Sequence, residues 1–158
     1  MSNKQKTIKN EISLSGVGLH TGNQVNLTFK PAPENYGFAF TRVDLEGSPV
    51  IEAKADYVVD TQRGTNIEKN GVKIQTSEHV LAAVVGLGID NILIELDAPE
   101  PPIMDGSSLF FIEALEEAGL QEQEAEVEEY VVKDIVSYKD ENTGSEIILM
   151  PSDHYEVT

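Results

Sequence analysis

The apolar residues of this chain change period near Thr76, and that change limits the folds open to it. Before it, apolar side chains recur at every second position. Val25, Leu27 and Phe29 alternate with Gln24, Asn26 and Thr28, the pattern of a strand with one buried face. After it, VLAAVVGLG (residues 80–88) runs apolar almost without a break and ends in glycines, as a buried helix with a C-terminal stop would. Alternation returns in NILIELD, where Ile92, Ile94 and Leu96 face away from Leu93, Glu95 and Asp97. Strands, a helix, a strand and a second helix thus follow one another in that order.

The other segments fit this frame. Ile8, Asn10, Ile12 and Leu14 share one face of a first strand, and the glycine-rich turn SGVGLHTGN (residues 15–23) leads back into the second. Pro31 and Pro33 stop that strand. FAFTRV is a third strand, and PVIEAKADYVVD holds another strand and its exit. Asn70-Gly71 between two apolar runs predicts a two-residue hairpin, because both central positions of such a turn need positive φ. Thr76 or Ser77 can cap the first helix. SLFFIEALEEAG is a second helix, with Asp105, Ser107 or Ser108 as its cap, Phe111, Leu115 and Ala118 on one face, and Gly119 as its end. YVVKDIVSYKD and SEIILM are two further strands, and HYEVT starts to read as another. Since two strands alone are marginal in water, residues 130–158 read as the opening of a second domain.

The net charge is 11 − 28 = −17, which repels phosphates and argues against a nucleic-acid partner. Residues 113–129 hold eight glutamates and no base. They read as a solvated helix end and linker, or else as a tail for a basic partner. There is no cysteine, so disulfides and thiolate zinc sites are excluded and metal ligands must be His, Asp or Glu. No apolar run reaches 18 residues, and the first 14 residues lack the apolar core of a signal peptide. A cytoplasmic protein is the expectation.

The chemistry-bearing residues concentrate at the period change. Glu78 and His79 stand side by side in the first turn of the expected helix. The positive end of the helix dipole stabilises a glutamate anion there. A histidine ligand beside a carboxylate that can take a proton from water suits metal-assisted hydrolysis. Equally, acidic residues are common at helix starts for dipole reasons, and a neighbouring histidine can simply bond the backbone. His20 sits in the glycine-rich turn as a substrate contact, a ligand or a turn residue, and His154 is a surface residue. SGVGLHTG lacks the spacing of a P-loop, and no G-x-S-x-G nucleophile elbow occurs.

Four segments taken together carry more. SGVGLHTG, DTQRGTNI (residues 60–67), TSEHVLAAVVGLGIDN and PPIMDGSS, in this order and spacing, resemble the UDP-3-O-acyl-N-acetylglucosamine deacetylases over roughly residues 8–120. These are zinc enzymes of lipid A biosynthesis in Gram-negative bacteria, and in some bacteria they are fused to a 3-hydroxyacyl-carrier-protein dehydratase. The resemblance implies two α+β domains of similar build, each a two-layer pair of sheet and helices, with the active site between them. Here that means an N-terminal domain at 1–121, an acidic linker at 122–129 and the truncated start of the second domain at 130–158. It implies His79 as a Zn2+ ligand, Glu78 as the general base and His20 as a substrate-binding residue. Asp105 and Gly106 match the DGS segment and are read as structural.

The implied reaction hydrolyses the N-acetyl group of UDP-3-O-acyl-N-acetylglucosamine. The family's remaining ligands, one His and one Asp, belong to its second domain. His154 does not match that His, since no Asp follows four residues later. This chain alone is therefore expected to show little or no activity, and to self-associate through the face its second domain would cover. The rival reading is a non-catalytic module that binds a nucleotide sugar or a protein.

Overall fold

The computed structural model describes residues 3–158, in two compact units that divide after Val127. In the first unit, strands β1 (Lys4–Ile8), β2 (Ile12–Val17), β3 (Gln24–Pro31), β4 (Phe38–Arg42) and β5 (Val50–Glu52) lead to a 3-10 turn at Ala55–Tyr57. The short strands β6 (Val58–Asp60), β7 (Asn66–Lys69) and β8 (Val72–Ile74) follow, then helix α1 (Glu78–Gly86), strand β9 (Ile92–Leu96), helix α2 (Leu109–Ala118) and strand β10 (Leu120–Glu126). The architecture is α+β, as the resemblance implies.

The main sheet runs β2-β3-β9-β4-β5, antiparallel except for the β4–β9 pair. Its register aligns Ile12, Phe29, Ile94, Phe40 and Ile51 in one row across the sheet. The last four of these are fully or almost fully buried, together with Val80, Ala83 and Val84 of α1 and Phe111, Leu115 and Ala118 of α2. Each large side chain of this kind stabilises the fold by about 1.5–3 kcal/mol relative to exposure. Phe29 and Phe111 meet edge to face with centroids 6.4 Å apart, which ties the sheet to the helix layer. Helix α1 buries one face only: Val85 is 62% exposed. The all-round apolar run therefore does not bury the helix all round. Its C-terminus closes as expected, the Ile89 amide donating to the Val84 carbonyl and the Gly88 amide to that of Val85.

The Asn70-Gly71 hairpin joins β7 to β8 with φ of 54° and 79°. Two other segments differ from their reading in sequence. Ile8 and Ile12 keep the same parity yet belong to different strands, because β1 pairs with β10 whereas β2 pairs with β3. The break is held by the Lys9 and Asn10 amides, which donate to the carbonyls of Gly119 and Ala118. The acidic stretch read as helix end and linker is strand as far as Glu126. Its partner β1 sets Lys4 opposite Glu126 and Lys6 opposite Glu122, placing two cationic residues on the strand that faces the glutamate run, and the Lys4 ammonium donates to the Glu124 carbonyl. Gln123 adds bonds to Asn91 and to the Ala32 carbonyl.

The second unit, Glu128–Thr158, contains the hairpin of β11 (Val136–Lys139) and β12 (Glu146–Leu149). The Asp140 amide donates to the Ser145 carbonyl and the Gly144 amide to that of Asp140, closing its turn. Tyr138, Ile147 and Leu149 are exposed. Residues 154–158, read as the start of another strand, carry no regular structure.

Candidate active site

The start of α1 is built by a clasp rather than by a cap. Ser77 holds the cap position, but its hydroxyl and its amide both donate to the Thr65 carbonyl, at 3.0 and 3.1 Å. Thr76 does not cap either; its hydroxyl donates to Glu100 at 2.8 Å. The loop that precedes β7 is thereby fastened to the helix start. In return the Thr65 amide donates to Oε2 of Glu78 at 2.7 Å. The other carboxylate oxygen, Oε1, lies 4.0 Å from Nε2 of His79. The two side chains remain 38% and 31% exposed, so both are open to solvent and to a reactant.

His20 reaches the same loop from another direction. Its Nε2 lies 2.9 Å from the Arg63 carbonyl. A carbonyl oxygen only accepts, so Nε2 carries the proton in this contact. The structure thus brings His20 next to the loop that orients Glu78; His154 belongs to the second unit, where it stands beside Asp153 and Glu156. Asp105 accepts from the Ser107 amide and hydroxyl at 2.9 and 2.8 Å, bonds that hold its carboxyl below the usual range. The Ser107 hydroxyl in turn accepts from the Leu109 amide. Asp105 therefore supports the start of α2 through Ser107 rather than capping it. Ser108 donates to the His79 carbonyl at 2.9 Å, which links the starts of the two helices.

Glu100 has no counterpart in the sequence reading. It lies between Pro99 and Pro101 in sequence and is fully buried, yet among the described residues no Lys, Arg or His forms an ion pair with it. Its oxygens accept from the His20 amide at 3.0 Å, the Thr21 amide at 2.9 Å and the Thr76 hydroxyl at 2.8 Å. Burial pushes its carboxyl up, but the bonds from the Thr21 amide, the Thr76 hydroxyl and the His20 amide outweigh it and hold the group below the ordinary glutamate range. A glutamate set among prolines in APEPPIM is the signal that was available: its flanking Ala98, Pro101 and Pro102 are all buried.

As a metal site the donor set is partial. An exposed imidazole beside a carboxylate is right in kind for Zn2+, but such sites take about three protein ligands. Among the described residues no group of three or more His, Asp or Glu side chains is disposed to hold a metal ion.

Comparison with known proteins decides the kinship. The family described as UDP-3-O-acyl N-acetylglycosamine deacetylase matches residues 5–158. The chain belongs to this family. It is 49% identical over 154 residues to a protein of Bacteroides thetaiotaomicron named bifunctional enzyme LpxC/FabZ, covering 98% of this chain and 33% of that one. It is 44% identical over 157 residues to the UDP-3-O-acyl-N-acetylglucosamine deacetylase of Myxococcus xanthus, covering 99% and 49%. With the protein of the same name from Methylococcus capsulatus it shares 52% over 122 residues, covering 77% and 40%. The chain thus spans between a third and a half of the length of these curated relatives.

Proposed function

We propose that this chain supplies one half of the active site of a zinc-dependent deacetylase that hydrolyses the N-acetyl group of UDP-3-O-acyl-N-acetylglucosamine in lipid A biosynthesis. The observation that carries the reading is the oriented pair at the start of α1. The Thr65 amide holds one oxygen of Glu78, and the other stands free 4.0 Å from His79. In this reading Glu78 is the general base. Its free Oε1 takes the proton of the attacking water, and the proton passes to the departing nitrogen, so that acetate and the sugar amine result. His79 is the chain's own Zn2+ ligand, and a bound Zn2+ ion supplies Lewis-acid polarisation of the acetamide carbonyl. The remaining ligands come from residues outside this chain. His20 contacts substrate with the face of its ring not held by Arg63. The domain that carries this half runs through β10, with the second domain starting after residue 127, and the location is cytoplasmic. Among the described residues no helix is long and apolar enough to cross a membrane.

The test uses the complete polypeptide that carries this chain, assayed for acetate release from UDP-3-O-acyl-N-acetylglucosamine. Glu78→Gln is expected to keep its zinc and lose turnover by at least about a hundred-fold, the scale of a lost general base. His79→Ala is expected to lose zinc and activity together. Full activity in Glu78→Gln overturns the assignment, and substrate binding without turnover by the unaltered protein supports a binding module instead. The isolated 158-residue chain is expected to retain little zinc after dialysis against a weak chelator. Val85, Leu109 and Phe110, apolar and exposed on the helices, are expected to make it self-associate in sedimentation velocity.

A further inference from the structure

We propose that Glu100 is a positioning residue for this deacetylation, one buried carboxylate that sets both the loop bearing His20 and the turn delivering Glu78 and His79. The inference rests on the function proposed above for Glu78 and His79.

Burying a carboxylate is costly unless hydrogen bonds replace its water. An apolar group here would leave the His20 and Thr21 amides and the Thr76 hydroxyl without an acceptor. Glu100 is fully buried, and all its partners are uncharged. What a carboxylate offers here is two oxygens that accept from two directions at once. Toward the loop, it takes the amides of His20 and Thr21. That loop is already tight: the Gly18 amide donates to the Asn23 carbonyl and the Gly22 amide to that of Gly18. It fits over the carboxylate because residue 18 has no side chain; a Cβ there would lie 2.7 Å from Glu100 Oε2 and 2.4 Å from the Thr21 hydroxyl.

Toward the helix, Glu100 takes the hydroxyl of Thr76. Thr76 has φ of 51°, a left-handed conformation that a β-branched residue adopts only when its surroundings impose it. Two residues later comes Glu78. The loop side leads to the same place. His20, hung on Glu100 by its amide, donates to the Arg63 carbonyl, and two residues on, the Thr65 amide holds Glu78 Oε2. Glu100 therefore stands at the joint origin of two supports that converge on one carboxylate, without touching it.

The test again uses the complete polypeptide. Thr76→Val removes the hydroxyl contact and keeps the shape, whereas Thr76→Ser keeps the hydroxyl. Glu100→Gln removes the charge and, with its oxygen kept on the two amides, sets an NH2 donor against the Thr76 hydroxyl in place of an acceptor. If Glu100 positions the base, Thr76→Val and any folded Glu100→Gln lose about ten- to a hundred-fold in kcat, the scale of misplacing a reacting group by up to an ångström. Their KM stays within about three-fold, a split a merely destabilised fold does not produce. Thr76→Ser keeps near-normal kcat. In parallel, hydrogen exchange at the Thr65 amide speeds up in Thr76→Val and not in Thr76→Ser. A folded Thr76→Val with unchanged kcat and unchanged Thr65 exchange overturns the proposal. If the unaltered protein releases no acetate, the proposed function falls, and Thr65 exchange still decides whether Glu100 and Thr76 position Glu78.

Discussion

Replacing Gly64 by alanine probes the loop that orients Glu78, and its cost can be worked from the geometry. Gly64 has φ of 151°, outside the range that residues with a Cβ adopt, and such strain costs about 1–3 kcal/mol. A Cβ there would lie 3.3 Å from Glu78 Oε1, 3.3 Å from the Thr76 hydroxyl and 3.4 Å from the Thr76 Cα. The Thr76 groups cannot withdraw, since the hydroxyl is bonded to Glu100. The oxygen that can move is the free one of Glu78. Crowding of this kind in a packed site adds about 1–3 kcal/mol, so Gly64→Ala is expected to destabilise the chain by about 2–6 kcal/mol, less about 0.4–1 kcal/mol returned by the stiffer unfolded chain.

Gly71→Ala is the control. It too has positive φ, 79°, but nothing lies within 4 Å of its added Cβ. Its left-handed backbone costs about 1–2 kcal/mol, partly offset by about 0.4–1 kcal/mol from the stiffer unfolded chain. The net cost is about 1 kcal/mol. Urea unfolding of the two variants, followed by far-ultraviolet circular dichroism, measures the difference. An excess of about 2 kcal/mol for Gly64→Ala corresponds to a roughly thirty-fold larger unfolded fraction. The Thr65 amide, one residue on, should also exchange faster in Gly64→Ala alone. Equal midpoints for the two variants would refute the reasoning, because the crowding against Glu78 would then contribute nothing.

Acidification should act through Glu100, whose carboxyl is held below its ordinary range in the folded chain. A depressed folded value means stabilisation that is complete above the unfolded value, about 4.3, and is lost as pH falls through the folded one. Unaltered protein should therefore lose stability below about pH 4 more steeply than Glu100→Gln, and parallel urea-midpoint profiles from pH 7 to 3 would contradict this. Phe111→Ala, which empties the fully buried site against Phe29, should cost about 3–5 kcal/mol in the same assay. Lys6→Glu sets like charges opposite Glu122 and should cost about 0.2–1 kcal/mol, with the loss shrinking in high salt.

Local pattern made much of the first unit legible. The alternation of Val25, Leu27 and Phe29, the Asn70-Gly71 turn and the apolar stripe of Phe111, Leu115 and Ala118 each became the element they imply. What was not legible depends on partners distant in sequence. Residues 122–129 look like linker because a run of glutamates repels itself, and Lys4 and Lys6, which stand on the partner strand of residues 120–126, lie more than a hundred residues earlier. The break between Ile8 and Ile12 left no mark either, since both strands keep the same parity while joining different sheets.

The candidate site divides along the same line. Glu78 and His79 are visible because side-chain chemistry is written in the sequence. What orients them is not, because the groups that do so are mostly backbone: the amide of Thr65 on Glu78, the carbonyl of Thr65 under Ser77, the carbonyl of Arg63 on His20. Every residue has such an amide and carbonyl, so their use leaves no signature of residue type. The exceptions are positions where geometry forbids a side chain or demands a buried one. Gly18, Gly64 and Glu100 are such positions, and each lies within the support of Glu78 rather than in the Glu78–His79 pair itself. A glycine with no room for a methyl group and a glutamate enclosed by prolines are thus the traces that a backbone-built site leaves in a sequence. They point to where the supports of a catalytic pair lie, as the pair itself points to the chemistry.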